Sequence, residues 1–186
     1  MDAFATFTEL GVRLDRVFTT AEQAWITVLL QDASTYLRED VIGQQVFPMS
    51  TATFVTWPDG GRIDLPQNPV VSVGAVTRGG VAIDFERRDS ALYVDGDAET
   101  SVTFTYGYAT APEGLKRWTM VLASQLLLPL EQELGLTAGG LSSVALDDFK
   151  VAFADAGEST GISLSDRNIE LIRSQYNTGS HVVGMR

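Results

Sequence analysis

The hydrophobic pattern of this chain changes period twice, and that change restricts the fold more than any other feature. Trp25, Val28, Leu29, Asp32 and Tyr36 recur at helical spacing, Leu37 and Val41 continue the stripe, and Gly43 supplies a stop. Thr20-Ala21-Glu22-Gln23 has the form of a capping box, so the spacing predicts a helix over about 20–41. From about 53 to 106 the period falls to two. Val71, Val73 and Ala75, then Val81, Ile83 and Phe85, then Val102, Phe104 and Tyr106 alternate with smaller or polar residues. Pro58-Asp59-Gly60-Gly61, Arg78-Gly79-Gly80 and Asp95-Gly96-Asp97 punctuate these runs as hairpin turns, which predicts a small antiparallel sheet with one face buried.

Helical spacing returns at Pro112, a residue suited to a first helical position, with Leu115, Trp118, Leu122 and Leu126 as the apolar stripe. Pro129 is expected to end or kink this second helix, because proline lacks the amide hydrogen and clashes with the preceding turn. Gly135–Ser143 reads as loop, and Val144–Ala154 as an extended segment in which Phe149, Val151 and Phe153 alternate with Asp148, Lys150 and Ala152. A final helix, capped by Ser165, carries Ile169, Ile172, Arg173 and Tyr176. Thr8–Leu14 forms a short additional helix with Leu10 and Leu14 on one side.

The fold class expected from this order is α+β: a helical core of three main helices, a small antiparallel sheet or hairpin region between the first and second long helices, and an extended C-terminal arm. It forms one domain over 1–176, with helical parts at about 8–43 and 111–134, a β-rich part at about 53–108, and the extended segment and last helix at 144–176. The tail 177–186 is too polar and glycine-containing to fold alone, and is expected to order on a partner.

Little in the sequence is equipped for catalysis. There is no cysteine and a single histidine, His181, near the end of the tail, so a Cys-His arrangement has no thiol and a Ser-His-Asp arrangement would need His181 to reach back into a core site. Asp95-Gly96-Asp97-Ala98-Glu99 lacks the spacing of a calcium loop, and the Gly-Gly pairs at 60–61, 79–80 and 139–140 lack the Lys-Ser/Thr of a phosphate loop. Paired carboxylates at Asp147-Asp148 and at Glu131 with Glu133 have no apolar setting that would separate their pKa values. Lys and Arg number 13 against 24 Asp and Glu, a net charge of −11, which repels a nucleic-acid backbone. The expectation is a non-enzyme without cofactor or metal, and without a membrane span.

Taken in order, several segments resemble the head-to-tail adaptors of tailed bacteriophages, also called head completion or connector proteins. Ala24-Trp25 and Leu29-Leu30-Gln31-Asp32-Ala33-Ser34 are similar to the first long helix of that family. Leu65-Pro66-Gln67-Asn68-Pro69-Val70-Val71-Ser72-Val73 is similar to the stretch that leads into its central strands. Val102-Thr103-Phe104-Thr105-Tyr106-Gly107-Tyr108, followed by Pro112 and Leu115-Lys116, resembles its strand, Tyr-Gly turn and second helix. Phe149–Ala154 and Leu164–Tyr176 complete a resemblance that spans about residues 8–176. The smallest members of that group are mainly helical, whereas this chain devotes residues 53–106 to β structure.

The resemblance implies a virion protein, assembled in the host cytoplasm, that forms a homo-oligomeric ring, a dodecamer, at the portal vertex. Its partners would be the portal protein, neighbouring copies of itself and downstream neck and tail proteins, with DNA passing through unread. Under this expectation Ile169, Ile172, Arg173, Tyr176, His181, Val182, Val183 and Arg186 contact the portal. Asp147, Asp148, Asp155 and Glu158 face the channel, where like charge keeps DNA from sticking. Two other readings compete: a stopper-like neck or tail-completion subunit, and a small ligand-binding β module using aromatics such as Trp57 and Tyr108.

Overall fold

The computed structural model describes residues 2–133 and 164–177. These divide into two compact units, one built from Met1–Val41 and Ala111–Ile169, the other from Ile42–Thr110 and Glu170–Arg186.

The first unit is helical. Helix α1 (Phe7–Leu14) begins at a capping box in which the Thr6 hydroxyl accepts from the Glu9 amide at 3.2 Å and the Glu9 carboxylate accepts from the Thr6 amide at 2.8 Å. Of its two expected inward leucines, Leu10 is buried and Leu14 exposed, because Asp15 turns into the left-handed region (φ 50) and ends the helix there. Helix α2 (Thr20–Tyr36) starts one residue earlier in its capping motif than the sequence pattern indicated: Thr19 and Glu22, not Thr20 and Gln23, form the box. A carboxylate is the stronger acceptor, and Glu22 also pairs with Arg16. Gln23 instead donates to the Phe18 carbonyl at 3.0 Å. A π-helical turn, Leu37–Ile42, extends α2 until Gly43 (φ +74) stops it.

Helix α3 (Glu113–Glu133) continues through Pro129 instead of ending there. Its buried side is Leu115, Thr119, Leu122, Ala123 and Leu127, a face rotated slightly from the expected stripe, so that Trp118 and Leu126 are only half-buried. Ala5, Leu10, Phe18, Ile26, Leu30 and Ala123 form the core, with Trp25 and Met120 packed at its margin. Lys116 joins α3 to α1 by pairing with Glu9 at 3.0 Å. Burial works to raise the Glu9 and Glu22 pKa values, but it is outweighed by hydrogen bonds from Lys116 and Thr6 at Glu9 and from Thr19 and Arg16 at Glu22, so both lie below the ordinary carboxylate value.

The second unit overturns the expected fold class. The helical core of three main helices with a small β insertion gives way to seven strands in two antiparallel sheets, with four helices among the described residues. Strands β1 (Ser50–Thr56), β7 (Thr100–Tyr106), β3 (Val70–Arg78) and β4 (Val81–Ala82) form one sheet in the order β1-β7-β3-β4. Strands β2 (Arg62–Asp64), β6 (Ala91–Val94) and β5 (Phe85–Arg88) form the other in the order β2-β6-β5. Ile63, Leu65, Leu92 and Val94 meet Val76, Val102, Phe104 and Tyr106 in a single core, so the sheets bury their faces on each other. The strands of the second sheet are three or four residues long, too short to display a period, which is why sequence pattern registered one sheet and not two.

Alternation held in β7, where Val102, Phe104 and Tyr106 are all buried, with Phe104 edge-on to Phe54 at 5.6 Å. In β3 it failed. Two register shifts against β7, between Val70 and Ser72 and between Val73 and Ala75, each insert a residue. The inward side chains are therefore Val70, Val73 and Val76, while Val71 and Ala75 are exposed. Arg87 occupies the bulge side, donating to the Val70 carbonyl at 2.6 Å and the Val71 carbonyl at 3.3 Å.

The last helix, α4 (Asp166–Tyr176), spans the boundary of the two units. Ser165 begins it by accepting, through its carbonyl, from the Asn168 and Ile169 amides. Within the second unit, Gln44 Nε2 donates to the Tyr176 carbonyl at 2.5 Å and Asn177 Nδ2 to the Ile42 carbonyl at 2.9 Å.

Candidate interaction surface

A sheet exposes backbone donors and acceptors only along its edges, so the edges are the places where the β unit could accept another chain. Strands β2, β4 and β5 are short, and two of them are charged. Strand β4 has two residues; β2 carries the Arg62–Asp64 pair at 2.7 Å, and β5 carries the Glu86–Arg88 pair at 3.1 Å. Each of these is a device that discourages pairing with another strand.

Strand β1 has none of them. Its seven residues, Ser-Thr-Ala-Thr-Phe-Val-Thr, include no charge and no proline. It pairs with β7 in unbroken register from Ser50↔Tyr106 to Thr56↔Thr100. Among the described residues no strand and no backbone hydrogen bond occupies its other side. The side chains facing away from the core are also uncharged. Thr51 and Thr53 meet their opposite numbers Thr105 and Thr103 at 2.9 and 2.7 Å, and Val55 follows, 56% exposed. Just beyond the strand, Trp57 holds its indole 66% exposed.

The turn after β7 anchors this strand pair. Gly107 has φ +88, and a Cβ there would approach the Val46 carbonyl at 3.2 Å and the Pro48 carbonyl at 3.3 Å. Its amide donates to the Pro69 carbonyl, and that of Tyr108 to the Val46 carbonyl, both at 2.8 Å. Tyr108 therefore sits past the Ser50–Tyr106 end of the pair and Trp57 past the Thr56–Thr100 end. Seven residues of strand separate them, roughly 20 Å, so the two aromatics suggested for a ligand-binding module do not converge on one site.

In the helical unit the most exposed apolar residues among those described are Val12 (80%) and Val17 (94%), at the rim of a cleft of about 430 Å³ lined by Phe7, Gly11, Arg16 and Phe18. Among the described residues no group of three His, Cys, Asp or Glu is placed to hold a metal, and no helix is long and apolar enough to cross a membrane.

Basic side chains are largely engaged internally. Arg78 closes the Asp95-Gly96-Asp97 turn by donating to the Asp95 carbonyl at 2.8 Å and the Gly96 carbonyl at 3.3 Å. Arg38 is buried beneath the Phe4 ring, 4.4 Å from its centroid, and donates to the Asp2 carbonyl. Burial lowers its pKa, opposed by the charges of Asp2 and Glu39. Arg16, Arg62, Arg87, Arg88 and Lys116 are held by the partners already named.

Of the residues expected to touch the portal, the four that are described differ in exposure. Ile172 (0% exposed) and Tyr176 (7%) are interior, and burial, then the neighbouring Tyr108, raises the Tyr176 pKa. Ile169 is half-buried, and Arg173 is exposed beside Leu171. His181, Val182, Val183 and Arg186, and the expected channel residues Asp147, Asp148, Asp155 and Glu158, lie outside the described residues, as does the extended segment 144–154. The β1 edge was not singled out from sequence, because its lack of charge is shared by longer uncharged runs such as 65–77 and 100–112 and only the strand order makes it an edge.

No protein-family model matches the chain, and no curated protein matches it.

Proposed function

We propose that this protein is a structural subunit of a tailed-phage particle, forming a ring at the portal vertex that joins the capsid to the neck and tail and lets DNA pass without gripping it. The observation that carries the reading is the β1 edge, a long, regular, uncharged strand left open where the other edges among the described residues are short, charged or bulged. A surface of that kind serves protein neighbours, and it has no use for a small substrate or a polyanion. Engagement of the arginines within the chain, together with the net charge of −11, supports a role beside DNA in which contact is avoided. The similarity of residues 8–176 to head-to-tail adaptors supplies the location, and the function needs no reaction and no cofactor.

Imaging of purified portal complexes or virions tests the proposal. Density for a ring of this chain at the tail-facing end of the portal is the expected result, and its absence there overturns the proposal. A ring found one layer further from the capsid would assign the chain to the stopper position.

A further inference from the structure

The β1 edge is bounded by different chemistry at its two ends, and the difference selects an occupant. Past Ser50 the neighbouring chain is uncharged, with Met49 before the strand and Gly107 and Tyr108 beyond the opposite Tyr106. Past Thr56 it is aromatic and acidic. Trp57 is 66% exposed, and the turns at this end carry Asp59, Asp95, Asp97 and Glu99, all of them exposed. Hydrogen bonds hold these turns together: the Gly61 amide donates to Asp97 Oδ1 and the Val94 amide to the Gly61 carbonyl, both at 2.8 Å. Thr100, opposite Thr56 in the register, joins them to the strand end by accepting from Arg78 at 3.3 Å. Two cations stand against these carboxylates. Arg62 is already matched by Asp64, and Arg78 is bonded to the Asp95 and Gly96 carbonyls, so the end keeps an excess of negative charge.

We infer that β1 accepts an extended segment of a different protein, added antiparallel, uncharged along the strand and carrying lysine or arginine on its N-terminal flank. An antiparallel arrival places that flank at the Thr56 end, against Trp57 and the carboxylates. Backbone pairing supplies the attachment, and the end supplies selectivity, since an exposed indole face and a negative field both attract a cation. The inference rests on the protein-contact role proposed above and names the partner's chemistry.

A second copy of the chain fits this edge less well. Antiparallel β1–β1 pairing sets the Thr56 end of each strand against the uncharged Ser50 end of the other, which leaves both acidic ends unmatched between molecules of net charge −11. The stretch of β3 beyond β4 does not compete for the segment. It is bulged, and its Val70, Val71 and Val76 carbonyls are taken by Arg87 and the Ile83 amide.

Peptide binding to the full-length chain tests the inference. Fluorescein-labelled Lys-Arg-Lys-Thr-Val-Ser-Val-Thr-Val-Thr is titrated with protein at low salt and followed by anisotropy. It should bind about tenfold more tightly than the same strand headed by Glu-Glu-Glu or carrying Lys-Arg-Lys at its C-terminus, with the gap narrowing as salt rises. N-methylation of alternate strand residues blocks hydrogen bonding along one side of the peptide, so one alternate set should abolish binding and the other should not. Equal affinity for the three peptides, binding by none of them, or indifference to both N-methylated sets overturns the inference. Self-association of the chain without peptide binding makes a second copy the occupant and overturns it as well.

A second arm uses Trp57→Ala and a triple variant, Asp59→Asn with Asp95→Asn and Glu99→Gln. Each should weaken the basic-headed peptide by about fivefold or more at an unchanged melting temperature, and parent-like affinity in both overturns the inference. The comparison of peptides on the unaltered chain decides the matter if a variant fails to fold. Portal imaging reports separately: a ring seen without peptide selectivity overturns the partner chemistry alone, and selectivity seen without a ring at the portal overturns the location alone.

Discussion

The β unit treats its edges in two different ways. At β2 and β5 the outermost strand is short and crossed by an Arg–carboxylate pair, and β4 is only two residues long. At β1 the strand runs seven residues in regular register with threonine, alanine, phenylalanine and valine side chains. An unprotected edge is a hazard for a protein that acts alone, since any extended chain can pair with it. Strand β4 covers only Thr77 and Arg78 of β3, whose remaining stretch is bulged and has the Val70, Val71 and Val76 carbonyls taken by Arg87 and the Ile83 amide. Among the described residues β1 is thus the regular edge left for a partner.

The most severe way to break this contrast is to remove what both sheets share. Phe104 lies in the common core, and Phe104→Ala should cost about 3–5 kcal/mol and abolish the difference between edges by unfolding the unit. Urea denaturation followed by tryptophan fluorescence, in which Trp57 reports from the β unit, measures it. Gly107→Ala attacks the turn at one end of β1 more selectively. With φ +88 and two carbonyls near the new methyl, it should cost roughly 1–3 kcal/mol by the same assay.

Arg87→Met sharpens the other side of the comparison. Loss of the hydrogen bonds to the Val70 and Val71 carbonyls should cost about 1 kcal/mol and raise hydrogen exchange in β5 while leaving β1 unchanged. The smallest effect is expected from acid. The Glu86 pKa is lowered by the hydrogen bond from Arg88 and then by its charge, so the pair's contribution is present above the ordinary glutamate value and is lost as pH falls through the depressed one. Hydrogen exchange corrected for intrinsic rate should show a modest acid-side step in β5 that Glu86→Gln removes. The β1 strand, which carries no titrating group, should show no such step.

Legibility followed the length of each element. Helix α2, the Gly-rich turns and the buried side of β7 were readable because each repeats its signal over several residues, as Val102, Phe104 and Tyr106 do. The second sheet was hidden by strands too short to show a period, and β3 misled because two bulges convert a spacing of two into one of three. Ile172 and Tyr176, expected at the portal, are buried in the chain, and an apolar residue on an amphipathic helix reads the same in sequence whichever surface its face meets.

By itself the sequence determined the places where the chain must turn, the absence of thiols, the excess of negative charge and the uncharged character of residues 50–56. These are properties of residue types and need no neighbour to exist. Tertiary structure decided that those seven residues form an edge, because strand order depends on which segments pair across long separations, as Ser50 does with Tyr106. It also decided that Arg16, Arg38, Arg62, Arg78, Arg87 and Arg88 are engaged within the chain and that, among the described residues, one edge alone is long, uncharged and regular. Local propensity carries no information about such pairings, since their energy comes from contacts between residues far apart in the chain.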